Sequence, residues 1–249
     1  MRALVTGAGQ RVGQAIAVEL ARQGASVAVH YRTSRAGAER TVAACTEAGG
    51  EAWLVQGDLS RTAECRAVVD AVRGRWDTLD VLVNNASAFT AVPFEEVSLD
   101  HLDAMLALHV RAPFLLVQGL LPLLRAGGVT EARAPGEGGV VVNLHDVGAD
   151  RPLPGHAAYS VSKAALAMLT RALAVELAPA VRAVGVSPGQ VAWPPDYDEA
   201  RRERIAARIP MGRVGTPEDV ARLVRFVVCE APYLNGVDVP VDGGLSSRY

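Results

Sequence analysis

Lysine is almost missing from this chain: of 25 basic residues, 24 are arginine, and the one lysine is Lys163. Cysteine is scarce as well. Cys45, Cys65 and Cys229 are odd in number, far apart and without a CxxC pair, which argues against a disulfide framework and a structural zinc site. A formal net charge of −2 provides no chain-wide basic field to hold nucleic acid or an anionic membrane. No apolar run reaches 18 residues; the richest, from Val110 to Leu124, is broken by Arg111, Pro113, Gln118 and Pro122. A charged-then-apolar leader is also lacking, since Met1 runs straight into a strand-like segment. The expectation is a cytoplasmic globular protein with no metal site. Half of its 249 residues are apolar, enough to bury the core of one large domain and too many for disorder.

Short Val- and Leu-rich runs occupy residues 2–6, 26–30, 52–57, 79–84, 139–144, 181–187 and 237–241. They are nearly continuous rather than alternating, as suits strands buried on both faces of a parallel sheet. Helical patterns lie between them at 12–23, 36–48, 62–75, 99–123, 157–177 and 217–229. Regular strand–helix alternation predicts an α/β fold: a single-domain doubly wound parallel sheet of about seven strands, flanked by helices on both faces. Residues 125–138, rich in Gly, Pro and Glu, read as an exposed insertion. Residues 189–212 carry Trp193, Pro194, Pro195 and Tyr197 before a charged helix and follow a strand's carboxyl end, which makes them a substrate-lid candidate.

The first strand leads into Thr6-Gly7-Ala8-Gly9-Gln10-Arg11-Val12-Gly13, a glycine-rich turn that opens the first helix. Glycine there lets backbone approach a pyrophosphate seated on the helix N-terminus, so Gly7, Gln10, Arg11, Val12 and Gly13 are cofactor candidates. After the second strand stand His30, Tyr31, Arg32, Thr33 and Ser34, with no acid among them. A carboxylate would hold an NAD ribose 2′-hydroxyl and repel a 2′-phosphate, whereas Arg and two hydroxyls would bind it, so NADPH is expected. Asp58, followed by Leu59, ends the third strand and is placed to accept from an adenine amino group; read alone, it is equally a helix cap.

The lone lysine has a reason nearby. In Tyr159-Ser160-Val161-Ser162-Lys163, phenol and ammonium lie four residues apart and share one helix face. A cation beside a phenol favours phenolate and brings its pKa towards a useful acid–base range.

Taken in order, the glycine-rich turn, Asp58, Asn84-Asn85-Ala86, Tyr159/Lys163, Ser187-Pro188-Gly189 and Val241-Asp242-Gly243-Gly244 resemble the short-chain dehydrogenase/reductase family over essentially the whole chain. The resemblance implies that Tyr159 donates the proton, that Lys163 tunes it and binds the nicotinamide ribose, and that Asn85, Ala86, Ser87, Pro188 and Gly189 line the cofactor. Three departures from the commonest pattern look like the pteridine reductase subgroup. Asp146 stands where the catalytic serine is usual, Arg11 replaces the middle glycine of the turn, and Ser87-Ala88-Phe89 follows Asn-Asn-Ala. In that subgroup the Asp works with Tyr and Lys, the Arg meets cofactor phosphate and substrate, and the Phe stacks on the pterin. The resulting substrate set is Arg11, Ser87, Phe89, Asp146 and Tyr159, with Asp146, Tyr159 and Lys163 as catalytic residues. Reduction of a ring C=N needs hydride at carbon and a proton at nitrogen, which an acid pair can supply. A short-chain carbonyl reductase, such as one acting on a 3-oxoacyl thioester, and a non-catalytic NADP-binding sensor are the competing readings. His109 occupies the position where the family usually has an Asn whose carbonyl holds a water connected to Lys. Helices 99–123 and 157–177 carry apolar or small residues on more than one face, and the family resemblance then implies a homotetramer.

Overall fold

The computed structural model describes residues 1–128, 138–193 and 197–247. Seven parallel strands form one sheet in the order β3-β2-β1-β4-β5-β6-β7. They are β1 (Arg2–Val5), β2 (Ser26–Tyr31), β3 (Glu51–Gln56), β4 (Val81–Asn84), β5 (Val140–Leu144), β6 (Arg182–Pro188) and β7 (Asp238–Val241). The helices are α1 (Arg11–Arg22), α2 (Arg35–Glu47), α3 (Thr62–Arg75), α4 (Leu99–Leu106), α5 (Ala112–Ala126), α6 (Ala157–Glu176), α7 (Glu199–Ala206) and α8 (Pro217–Cys229). The expected doubly wound fold is present, and its strand order reverses between β1 and β4. In open α/β sheets ligands bind at that switch point, outside the carboxyl ends of the strands.

Both sheet faces are buried, which is why the strands read as nearly continuous apolar runs. Ala3, Val5, Val81, Val83, Val140 and Val142 face one core with Ile16 and Leu20 of α1 and Val220 and Val224 of α8. Leu4, Leu82 and Val141 face the other, with Val68 and Val72 of α3 and Leu116, Leu120 and Leu124 of α5. Each fully buried leucine contributes about 1.5–3 kcal/mol. The segment Leu99–Ala126 is long and apolar enough to cross a membrane by length and composition, yet these leucines are committed to the core.

That segment is the main difference from the expected element list. In place of one helix over 99–123, α4 and α5 are joined by a π-helical turn, Ala107–Arg111, in which the Ala112 amide bonds back to the Ala107 carbonyl. Pro113 at the start of α5 explains it. Proline has no N–H for the carbonyl four residues back, that of His109, and its ring would strike that carbonyl in a regular helix. The widened turn therefore follows from a local sequence feature and places His109 against α6.

Candidate active site

At the carboxyl edge of β1, the glycine-rich turn is clamped from three sides. Asn85 Nδ2 donates to the Thr6 carbonyl at 2.8 Å and the Gly7 carbonyl at 3.2 Å. The amides of Asn85 and Ala86 donate to Thr6 Oγ1 at 2.9 and 3.0 Å. Thr41 Oγ1 donates to the Ala8 carbonyl at 2.9 Å. Gly7 has φ of +64°, and a Cβ there would lie 2.9 Å from Ala86 Cα. A Cβ on Gly13 would meet the Gly7 carbonyl at 2.4 Å, so close packing of turn on helix requires glycine at both positions.

The α1 N-terminus is left open. Gln10 gives no side-chain cap and the first turn has no acid. The contrast with α8 is direct: there Thr216 and Asp219 form a reciprocal capping box. Bare helix amides beside a glycine-built cradle fit a pyrophosphate. Arg11, exposed at the head of α1, has φ of +54°; among the described residues it is the one non-glycine in the left-handed region. Such strain costs about 1–3 kcal/mol and is retained where function requires the side chain.

The other predicted nucleotide contacts divide. Arg32 and Thr33 are exposed, Ser34 stands at the N-cap position of α2 beside Gly9 without a side-chain cap bond, and the Arg32 charge acts on Asp58. Val12 is only partly buried, against the core of α1 and α8. His30, Tyr31 and Leu59 are buried. His30 Nδ1 accepts the Gly7 amide at 3.1 Å while Nε2–H donates to the Gly57 carbonyl at 3.0 Å. The ring thus pins the glycine turn to the end of β3, and burial lowers its pKa to about 4. Leu59 packs into the core under α3.

At the carboxyl edge of β5, Asp146 and Tyr159 meet. Tyr159 Oη donates to Asp146 Oδ2 at 2.7 Å, and Asp146 Oδ1 accepts the Gly148 amide at 2.6 Å, which fixes the carboxylate. Lys163 Nζ lies 5.7 Å from the Tyr159 ring centre and donates to the Leu144 carbonyl at 2.7 Å. Burial lowers the Lys163 pKa to about 8, with the Asp146 charge opposing. The expected depression of the Tyr159 pKa is reversed in this structure. Burial first, then the charge and hydrogen bond of Asp146, raise it well above its ordinary value, while a hydrogen bond with Ser87 works the other way. The phenol is thereby held protonated.

Phe89 is half exposed and stands edge-on to Tyr159, with ring centres 4.9 Å apart. Its ring is stacked on His156 at 4.2 Å, so an imidazole of the chain itself covers one aromatic surface. Pro188 ends β6, and Gly189 donates its amide to the Val241 carbonyl at 3.2 Å. In the 189–212 segment, Arg201 lies over the Tyr197 ring at 3.7 Å, and the Met211 amide is anchored on the Gly243 carbonyl. Pro194 and Pro195 lie outside the described residues, as does most of the 125–138 insertion. Among the described residues no His, Cys, Asp and Glu cluster could hold a metal ion.

Sequence reasoning missed Thr6, Thr41, Ser162 and the Leu144 carbonyl. Thr6 at the head of the turn was readable. The others are brought in by packing alone.

A family profile described as Enoyl-(Acyl carrier protein) reductase matches residues 7–246. An uncharacterized oxidoreductase of Methylorubrum extorquens is 36% identical over 98% of this chain and 96% of its own length. Glucose 1-dehydrogenase 2 of Bacillus subtilis is 31% identical over 98% of this chain and 94% of its own. The crystal structure of acetoin dehydrogenase from Enterobacter cloacae superposes with a TM-score of 0.87 at 30% identity, covering 99% of this chain and 96% of that one. With this sheet order, a clamped glycine turn and a Tyr–Lys pair at the carboxyl edge, the chain belongs to the short-chain dehydrogenase/reductase family and is an oxidoreductase of that type.

Proposed function

We propose that this enzyme is an NADPH-dependent reductase of a pteridine-type ring C=N, with Asp146, Tyr159 and Lys163 as its catalytic residues. The observation that carries this reading is the 2.7 Å hydrogen bond from Tyr159 to Asp146, an acid pair where the family usually places a neutral serine. When bound, the nicotinamide supplies the hydride. The chain supplies the proton: Tyr159 Oη gives it up to the ring nitrogen. Asp146 orients the phenol and shares the proton; Lys163, fixed on Leu144, supplies the compensating positive charge. Phe89 offers an aromatic face to a planar heterocycle, and Arg11, exposed at the head of α1, is the contact to phosphate and substrate. The 2′-phosphate preference rests on Arg32, Thr33 and Ser34, and the segment 189–212 serves as the substrate lid. The assembly is a homotetramer: Val161, Met168 and Val175, one heptad apart on α6, are exposed together with Phe114 of α5.

A second reading, reduction of a carbonyl, is favoured by the relatives named for glucose and acetoin. NADPH absorbance followed with 7,8-dihydrobiopterin, dihydrofolate and an acetoacetyl thioester separates the two. Turnover of dihydrobiopterin is expected. Turnover confined to the thioester replaces the pteridine reading with the carbonyl one, and tight NADPH binding without turnover points to a sensor.

A further inference from the structure

We infer that His109 is a positioning residue for the proton step: its neutral ring, protonated on Nδ1, holds the Ser87 hydroxyl against Tyr159 and braces the Tyr159 backbone through Ser162. The inference rests on Tyr159 being the proton donor, as proposed above.

The ring is 1% exposed and lies between the loop after β4 and helix α6. Two backbone groups assign its tautomer. The Ala88 amide, 3.3 Å from Nε2, can only donate, so Nε2 is bare. The proton is then on Nδ1, which donates to Ser162 Oγ at 2.7 Å, and the Ser162 hydroxyl in turn donates to the Tyr159 carbonyl, also at 2.7 Å. A charged ring would set a second N–H against Ala88 and face the buried Lys163. Burial first, then the Lys163 charge, lower its pKa to about 3.

Ser87 Oγ lies 3.0 Å from Nε2, and its hydroxyl is near enough to the Tyr159 phenol to favour the phenolate form. Its single proton thus has two acceptors. As Tyr159 gives up its proton, the phenolate oxygen becomes the stronger acceptor and the Ser87 proton turns to it. Nε2 keeps the Ala88 amide, so no buried polar group is stranded and no proton leaves the imidazole. Tyr159 is faced by Asp146 from the loop after β5, Lys163 from its own helix and His109 from the π-helical turn. His109 is the one of the three that stays uncharged throughout.

Two amide substitutions separate the halves of this role. In His109→Gln the longer side chain can place its oxygen where Nε2 stood and keep Ser87 and Ala88. In His109→Asn the shorter one can reach Ser162 only. With whichever of 7,8-dihydrobiopterin or acetoacetyl thioester the native enzyme reduces, His109→Gln is expected to retain kcat within about threefold, whereas His109→Asn and Ser87→Ala each lose about tenfold. Those two are also expected to move the pH profile of kcat to higher pH, because the phenolate has lost a donor. The double variant His109→Asn/Ser87→Ala should be no worse than Ser87→Ala alone. Equal losses in the Gln and Asn variants, an unmoved pH profile, or additive losses would overturn the inference. Tyr159→Phe is the control: full activity there removes the proton-donor reading itself. Independently of any substrate, ¹⁵N spectra of histidine-labelled protein should show His109 neutral and protonated on Nδ1 from pH 5 to 9; a charged ring or an Nε2–H tautomer would also overturn it.

Discussion

The two ends of the site treat their hydrogen-bonding groups in opposite ways. At the nucleotide end, side chains from three elements hold the glycine turn rigid, yet the α1 amides are uncapped and Arg11 is kept in a strained conformation. At the catalytic end, the polar groups are already paired within the chain: Tyr159 with Asp146, Lys163 with Leu144, His109 with Ser87, Ala88 and Ser162. Unspent donors suit binding of an anion, since the ligand completes them. Satisfied donors suit chemistry, since an acid–base group must keep one geometry while its proton moves. Substitutions at the catalytic end should therefore change rate, and those at the nucleotide end should exchange affinity against stability.

The largest effect tests the catalytic side of this contrast. Asp146→Ala should reduce kcat by about 10² to 10⁴ while leaving the Kd for NADPH nearly unchanged by fluorescence titration. Combined with Tyr159→Phe it should add little, because the two act as a unit. Asp146→Ser discriminates further: pterin turnover should fall, and a rise in thioester turnover instead would mark a carbonyl reductase.

Next in size is an acid lability shared by both ends. The pKa of His30 is depressed to about 4 and that of His109 to about 3, from the 6.5 that each has in the unfolded chain. As pH falls, the unfolded chain takes up these protons first. The stabilisation is therefore complete above about pH 6.5 and is lost progressively down to about 4 for His30 and about 3 for His109. His30 alone accounts for on the order of 3 kcal/mol. Urea denaturation across that range should show the loss, and His30→Gln should reduce it; a flat stability from pH 6.5 to 4 would contradict the buried neutral rings.

On the nucleotide side, Arg32→Asp should lower kcat/KM with NADPH relative to NADH by more than tenfold, about 1.4 kcal/mol, measured with both cofactors. The smallest effect sharpens the comparison most. Arg11→Gly relieves a left-handed side chain and should raise stability by about 1 kcal/mol in thermal unfolding, while NADPH binds more weakly. Loss of both stability and affinity would show that Arg11 is a structural part of the turn.

Much of this was legible in the chain, for identifiable reasons. Strand runs such as 140–142 are apolar at every position because both sheet faces are covered, so fold class follows from local pattern. Glycine at 7 and 13 and the Tyr159/Lys163 spacing are local constraints of a positive φ, a close approach and one helix face. Even the π-helical turn has a local origin, since Pro113 denies His109 its helical partner. The packed fold alone settled which side chains meet. It buried His30 and Leu59 where contact with a ligand was expected, laid His156 on Phe89, and reversed the direction of the Tyr159 pKa by closing the site around Asp146. Spacing specifies what a residue can do along its own element, whereas desolvation and hydrogen-bond partners come from elements distant in sequence, and these determine protonation.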